Sequence, residues 1–315
     1  MSEQHILLAG PQTGRAFLEA LASTLPADAK ANLRLGLADP LDAPEWRETS
    51  IFVSYGVSCS AADMDAAPNL RAIITPSLGY EGIDIEAARS RGIAFANGRV
   101  EENYQSVAEA AILYMLTALY RLREAEDRLR RGELRSGPPK ARMLKGRTIG
   151  IIGYGNIAKA LVERLDNWGT RILVSNRSPI PVNPAIIQTG LETLLAESDI
   201  ILPLLPLTAE TQGLLSRERL LAAKPGAILI NLSRGAIINE SALADPDVIS
   251  HLGTIALDVF ASEPLAADSP LRDLPDHILT NHEISHTQEN LGALFALAVA
   301  NIKAAIDGNP LPSAT

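Results

Sequence analysis

The sequence predicts an α/β protein with a doubly wound parallel sheet and a second, smaller α/β domain. Three observations carry this. Short β-branched runs alternate with Ala/Leu-rich helical stretches, the mark of βαβ units around a parallel sheet. The alternation is interrupted by a long apolar helical stretch and a Gly-Pro-Pro loop, then restarts at a glycine-rich strand–turn–helix. The chain has 315 residues, which as a soft prior suggests two domains.

The elements follow in order. Ile6–Ala9, Ile51–Val53, Arg71–Thr75 and Ile93–Phe95 read as short buried strands, with helical stretches such as Gly14–Leu25 and Ile85–Arg91 between them. A long helical stretch runs from about Asn103 to Arg131. Its first part is apolar and too long for a surface helix, so it packs on something large. Its end, REAEDRLRRGEL, carries both signs and reads as a solvated helix end with i,i+4 pairs. Gly137-Pro138-Pro139 is a loop. Strands then recur at Arg147–Ile152, Arg171–Ser175, Ile200–Pro203, Ala227–Asn231, Thr254–Asp258 and Ile278–Thr280, five or six for one doubly wound domain. Glu289–Ile306 is a last apolar helix, stopped at Asp307-Gly308-Asn309-Pro310.

Composition removes several function classes. Lys and Arg number 28 against 37 Asp and Glu, a net charge of −9 that argues against nucleic acid or an anionic membrane as partner. A local basic spot for one small anion stays open. Cys59 is the single cysteine, so no intrachain disulfide and no cysteine cluster for zinc is expected, and no metal site is assigned. The N-terminus lacks the basic and apolar regions of a signal peptide. Val107–Tyr120, taken as the most apolar stretch, is too short for the ~20 residues a bilayer span needs. A cytoplasmic protein is expected.

The strongest local signal is Thr148-Ile-Gly-Ile-Ile-Gly-Tyr-Gly-Asn-Ile-Ala158. A strand runs into Gly153-x-Gly155-x-x-Ala158, and a helix follows to about Trp168. This is the dinucleotide fingerprint: a tight turn at the first glycine, close backbone approach at the second, and helix–strand packing at the third small residue. Gly153, Gly155, Asn156 and Ile157 are candidate diphosphate-binding residues, with donors supplied by the helix N-terminus. An NAD-preferring site usually carries Asp or Glu about 20 residues on. This chain has Asn176, Arg177 and Ser178 there, all able to bind a 2′-phosphate that an acidic residue would repel. NADP(H) is therefore the expected cofactor, with NAD(H) retained as the alternative.

Six further segments resemble one family, the D-isomer-specific 2-hydroxyacid dehydrogenases, of which glyoxylate/hydroxypyruvate reductases are members. Ser77-Leu-Gly-Tyr-Glu-Gly-Ile-Asp84 resembles their substrate loop, and Asn103-Tyr-Gln-Ser-Val-Ala-Glu109 the opening of their long interdomain helix. Pro206-Leu-Thr-Ala-Glu-Thr211 resembles the loop beside the cofactor, which adds Pro206 and Thr211 as candidates. Ile230-Asn-Leu-Ser-Arg-Gly235, Leu257-Asp-Val-Phe-Ala-Ser-Glu-Pro264 and Thr280-Asn-His282 resemble the three catalytic blocks. Their order and spacing span about residues 50 to 300.

The resemblance implies a Rossmann-type cofactor domain, residues 99–285, inserted in a smaller flavodoxin-like substrate domain, residues 1–98 plus 286–315, with the active site in the cleft. It also implies a homodimer. The chemistry agrees residue by residue. Arg234 offers a planar fork for carboxylate or carbonyl oxygen. His282 is a proton donor near neutral pH. Glu263 orients the imidazole and favours its charged form. The resemblance further implies that backbone donors of Leu78 and Gly79 hold the substrate carboxylate and that Asp258 anchors the nicotinamide carboxamide, and Tyr55 and Tyr80 are candidates to line an apolar or aromatic substrate pocket. Taken singly, each side chain has an ordinary surface or turn reading; together at strand ends they do not. The expected activity is hydride transfer between NAD(P)H and a 2-oxo acid, giving a D-2-hydroxy acid. The rival is a non-catalytic, nucleotide-sensing, corepressor-like binding protein on the same fold. Asn281 stands where the family usually has Pro, and Glu283 is an unusual acidic neighbour of the histidine. No regulatory domain is expected after residue 315, so the resemblance to the long phosphoglycerate-oxidising members is expected to be incomplete.

Overall fold

A computed structural model describes residues 4–27, 29–181, 183–274 and 276–314. The chain divides into two compact units, Met1–Asn103 with Thr287–Thr315, and Tyr104–His286.

The first unit is a five-stranded sheet of β1 (His5–Gly10), β2 (Lys30–Leu35), β3 (Ile51–Ser54), β4 (Ala72–Thr75) and β5 (Ala94–Asn97), with helices α1 (Arg15–Ser23), α2 (Ala61–Ala66) and α3 (Ile85–Ser90). All strands are parallel, in the order β2-β1-β3-β4-β5, the flavodoxin-like order. Strand residues alternate between two cores, as the two-residue period demands. Ile6, Leu8, Ile51, Val53 and Ile74 pack on one face with Leu18 and Leu21 of α1. Leu7, Phe52, Ile73 and Phe95 face the other way, onto Met64 of α2 and Ala87 and Ala88 of α3.

The second unit opens with most of α4 (Glu101–Tyr120), followed by α5 (Leu122–Arg130). The single helix expected from Asn103 to Arg131 is thus broken. Arg121 is left-handed, φ 50°, and its guanidinium pairs with Glu124 and, at 3.0 Å, with Asp276. Strands β6 (Thr148–Ile152), β7 (Arg171–Ser175), β8 (Ile186–Gln188), β9 (Ile200–Pro203), β10 (Ile228–Asn231), β11 (Ile255–Leu257) and β12 (Ile278–Leu279) form a seven-stranded parallel sheet in the order β12-β11-β10-β9-β6-β7-β8. The six strand segments read from sequence are joined by a seventh, β8, which is three residues long, lies on the edge and buries little. Helix α6 (Asn156–Arg164) joins β6 to β7, α7 (Leu191–Glu197) packs on β6 and β7, and α8 (Arg217–Leu221) packs against α9 (Pro246–His251). Buried α4 residues, among them Ala111 and Met115, pack with α6 against Ile149, Ile151, Ile200 and Ile230, which explains the apolar length of α4. The chain leaves β6 toward β7 and β8, then returns to β9 on the other side of β6. The crevice above β6 and β9 is the switch point where doubly wound sheets bind ligands.

The chain returns to the first unit as α10 (Gln288–Asp307), ended by Gly308 at φ 71°. By length and composition alone, among the described residues α10, rather than Val107–Tyr120, is the helix long and apolar enough to cross a membrane. In the structure it packs Ala298, Ile302 and Ala305 on the β1–β3–β4 face and buries Asn290 and Asn301.

Candidate active site

The glycine turn sits at the switch point. Gly153 has φ +97°, and a Cβ there would lie 2.6 Å from the carbonyl oxygen of Leu204 just past β9. Only glycine lets the turn pass so close. Gly155 precedes α6 with no side-chain cap, and a Cβ on it would meet nothing within 4 Å. The N–H groups of Asn156 and Ile157 therefore open the helix beside unfilled space, carrying the positive end of its dipole. An anion fits there, and a dinucleotide diphosphate matches both the shape and the charge.

Past β7, Asn176 is engaged at both ends. Its Oδ1 accepts from the Tyr154 N–H at 3.2 Å and its Nδ2 donates to the Ser178 carbonyl at 2.9 Å. Gln188 ties the same loop from β8 by donating to the carbonyls of Asn176 and Ser178. Arg177 projects from it, exposed, and donates to Glu210 at 2.8 Å. Glu210 belongs to the Pro206–Thr211 turn. There the Thr211 hydroxyl donates to the Pro206 carbonyl at 2.7 Å and accepts from the Thr208 N–H at 2.8 Å. The Thr211 side chain thus builds the turn.

Arg234, Glu263 and His282 come from three neighbouring strand ends, after β10, β11 and β12. Asn231 clamps the first turn: its Nδ2 donates to the Arg234 carbonyl at 2.9 Å, and its Oδ1 accepts from the Ser233 N–H at 3.1 Å and the Ser233 hydroxyl at 2.9 Å. Arg234 Nη1 donates to the Ser233 carbonyl at 2.7 Å. Gly235 then touches the next loop. A Cβ there would stand 1.9 Å from the Phe260 carbonyl carbon and 2.3 Å from the Ala261 nitrogen. That second loop is held by Glu240, which accepts from the Ala261 N–H at 2.7 Å, and by Glu263 Oε1, which accepts from the Phe260 N–H at 3.0 Å.

The other oxygen of Glu263 lies 2.6 Å from His282 Nδ1. That hydrogen bond first, and the carboxylate charge with it, raise the His282 pKa against burial and the opposing charge of Arg234. Burial pushes the Glu263 carboxyl up, but the hydrogen bonds from His282 and the Phe260 N–H and the charges of His282 and Arg234 outweigh it, so it lies below the ordinary range. With Nδ1 committed to Glu263, Nε2 is the nitrogen available for proton transfer.

His282 itself is left-handed, φ 53°, an unusual backbone for a non-glycine residue. Asp258 holds it there. Its backbone carbonyl accepts from the His282 N–H at 2.7 Å. Its buried Oδ1 accepts from the N–H groups of Glu283 and Ile284, at 3.1 and 3.3 Å, and from the Thr280 hydroxyl. The Thr280 hydroxyl in turn receives the buried Tyr114 hydroxyl of α4, whose pKa burial raises to about 12. Oδ1 of Asp258 is therefore taken up by the histidine loop. Asn231, Gly235, Glu240, Thr280 and Tyr114 were not singled out from sequence; Asn231, Gly235 and Thr280 lie in the three blocks, yet nothing local reports their partners.

Three other histidines stand apart, while His286 lies in the turn after His282, its N–H donating to the Glu283 carbonyl at 2.9 Å. His251 Nε2 lies 2.7 Å from the Ala223 carbonyl, His5 pairs with Glu48, and burial lowers the His277 pKa. Among the described residues no group of three or more His, Cys, Asp or Glu side chains is arranged to hold a metal.

In the first unit, Asn97 donates to the Leu78 carbonyl at 2.9 Å, Gly98 N–H to Ser77 at 2.7 Å, and the Ser77 hydroxyl to the Gly79 carbonyl at 2.9 Å. The carbonyls of Ser77, Leu78 and Gly79 are all taken, while the N–H groups of Leu78 and Gly79 make no hydrogen bond among the described residues. That is the polarity an anion nest requires. Tyr55 packs on Phe17, ring centroids 5.6 Å apart, and against Gly14, where a Cβ would lie 2.6 Å from its ring.

Residues 112–283 match the family model described as D-isomer specific 2-hydroxyacid dehydrogenase, NAD binding domain. The chain is 34% identical over 275 residues to glyoxylate/hydroxypyruvate reductase B of Pectobacterium atrosepticum, covering 85% of this chain and 86% of that one. It is 31% identical over 279 residues to D-3-phosphoglycerate dehydrogenase of Mycobacterium tuberculosis, covering 88% of this chain but 52% of that one. A crystal structure of an NADPH-dependent glyoxylate/hydroxypyruvate reductase from Sinorhizobium meliloti, in complex with citrate, superposes with a TM-score of 0.82 at 28% identity, covering 99% of this chain and 98% of that one.

Proposed function

The chain belongs to the D-isomer-specific 2-hydroxyacid dehydrogenase family, and on that premise we propose that it reduces a small 2-oxo acid to the D-2-hydroxy acid, with NADPH preferred over NADH. It is an oxidoreductase. The observation that carries the reading is the Glu263 carboxylate 2.6 Å from His282 Nδ1, with Arg234 close enough to shift both groups.

The nicotinamide, when bound, supplies the hydride. Everything else falls to the chain. The α6 N-terminus at Gly155, Asn156 and Ile157 holds the diphosphate, with Gly153 shaping the turn. Arg177, with Asn176 and Ser178 forming its loop, meets the 2′-phosphate, and Pro206 and Thr211 flank the nucleotide. Asp258 Oδ2 accepts from the carboxamide. Arg234 forks onto the substrate carboxylate and carbonyl oxygen and stabilises charge developing on that oxygen. His282 passes its Nε2 proton to the forming alkoxide, and Glu263 holds the ring and its charge. The N–H groups of Leu78 and Gly79 receive the substrate carboxylate. Tyr55 borders the substrate side of its unit with its ring packed on Phe17 and Gly14.

A homodimer is part of the proposal. Leu113, Tyr120, Leu122 and Leu129 along α4 and α5 are 51–78% exposed, an apolar display that supports burial by a second copy. Light scattering giving a monomer mass contradicts that part.

The test is NADPH oxidation with a panel of 2-oxo acids, from glyoxylate and hydroxypyruvate to branched and aryl acids, with the product resolved on a chiral column. Turnover to the D-isomer is expected. No oxidation across the panel, with nucleotide still bound, overturns the enzymatic reading in favour of a nucleotide sensor.

A further inference from the structure

The strand end that normally discriminates NAD from NADP carries no carboxylate here; Asn176 stands in its place. Yet a carboxylate does reach this loop, from the other side of β6. Glu210 Oε2 sits 2.8 Å from Arg177 Nη1, 33 residues away in sequence.

Both loops are built independently of the pair. Gln188 and the Asn176 side chain fix the Asn176–Ser178 backbone. Thr208 and Thr211 fix the turn that carries Glu210. Arg177 is the only ionic group among residues 176–178, and Glu210 the only one in the turn from Pro206 to Thr211. Their charges are set opposite each other by two hydrogen-bonded turns.

We propose that Glu210 is the residue that limits the preference for 2′-phosphorylated nucleotides, by holding Arg177 and by opposing the phosphate that Arg177 attracts. This rests on the dinucleotide-binding reading of the site. The pair is open to solvent, with side chains 86% and 74% exposed, so it is weak, and a phosphate dianion draws Arg177 away at little cost. The carboxylate then remains beside two negative charges. A nucleotide with a free 2′-hydroxyl meets no such repulsion, and Glu210 is an acceptor its ribose can use. One loop thereby serves both cofactors, with Glu210 setting the ratio.

Calorimetric titration of the intact protein with adenosine 2′,5′-bisphosphate and with adenosine 5′-monophosphate tests this without turnover. Glu210→Gln should tighten the bisphosphate about threefold to fivefold, the scale of an exposed charge pair, and leave the monophosphate unchanged or weaker. The gain should shrink in high salt. Arg177→Gln should weaken the bisphosphate selectively. An unchanged ratio of the two affinities in Glu210→Gln, or equal binding of the bisphosphate by Arg177→Gln and the parent, overturns the proposal while the dinucleotide reading stands. Binding of neither nucleotide by any of the proteins overturns both.

Discussion

Replacing Glu263 with Gln isolates one interaction. The amide keeps the side chain's shape and an oxygen for the Phe260 N–H, so the loop after β11 should persist. What is lost is the charge on the oxygen 2.6 Å from His282 Nδ1. A hydrogen bond to a charged group contributes about 1.5–3 kcal/mol. The His282 and Glu263 side chains are 45% and 35% exposed, so solvent screening favours the lower end, and roughly a tenfold fall in kcat is expected. The pH profile gives a second reading. Hydrogen bonding to Glu263 raises the His282 pKa, and reduction needs the protonated ring. The rate of 2-oxo acid reduction should be level at low pH and fall as pH rises through that raised value. In Glu263→Gln the falling limb should move to lower pH. The stability sign is the same: the pair stabilises the fold below the ordinary histidine pKa of ~6.5, and that contribution is lost as pH rises through the folded value. Steady-state kinetics across pH, with nucleotide affinity as control, is the assay. A variant with unaltered kcat and an unmoved limb would refute the argument that Glu263 charges and holds the histidine.

Other perturbations follow from the same geometry. Gly235→Ala would put a Cβ 1.9 Å from the Phe260 carbonyl carbon, backbone against backbone. Overpacking at the upper end of ~1–3 kcal/mol should lower the thermal midpoint by about 5 °C, read by calorimetry, and activity should fall with it. Thr280→Val leaves the buried Tyr114 hydroxyl without its acceptor and removes one donor from Asp258, whereas Thr280→Ser restores both. The valine variant should lose roughly tenfold in kcat with nucleotide binding intact, and the serine variant should recover it. Arg234→Ala should raise KM for the 2-oxo acid and also lower kcat, because its fork serves ground state and transition state alike; unchanged kinetics would remove it from the site.

Much of the architecture is legible in the chain because buried parallel strands are apolar runs with an unambiguous period. The exceptions lie where burial is weak. Lys30–Leu35 and Ile186–Gln188 are edge strands, and neither displays a fully buried residue to mark it. The break at Arg121 carries no glycine or proline; ion pairs with Glu124 and Asp276 hold the left-handed turn, and the second of these comes from a distant loop. The site divides in the same way. Arg234, Glu263 and His282 stand out as residue types in recognisable blocks, but their supports do not. That Asn231 clamps a turn, or that Gly235 meets Phe260, depends on two strands being neighbours. Asn176 looks in the sequence like an open 2′-phosphate ligand, yet both its polar ends are engaged within the protein. Glu210 is not legible as a partner of Arg177, because 33 residues separate them.

These supports form one mechanical argument. Arg234, Glu263 and His282 follow adjacent strands, and each loop is fastened to the next. Gly235 seats the first against Phe260 and Ala261, Glu263 links the second to His282, and Asp258, at the end of β11, binds the backbone of the third. Tyr114 and Thr280 extend the bracing into α4. The exposed imidazole is therefore mounted on buried polar contacts, and its strained left-handed backbone persists because four hydrogen bonds converge on Asp258. An acid that must meet substrate cannot be buried for rigidity, so rigidity has to come from what lies beneath it. On this view the net charge of −9 has little bearing on anion binding, because the cations that matter sit on loops whose geometry is set by neutral and buried groups.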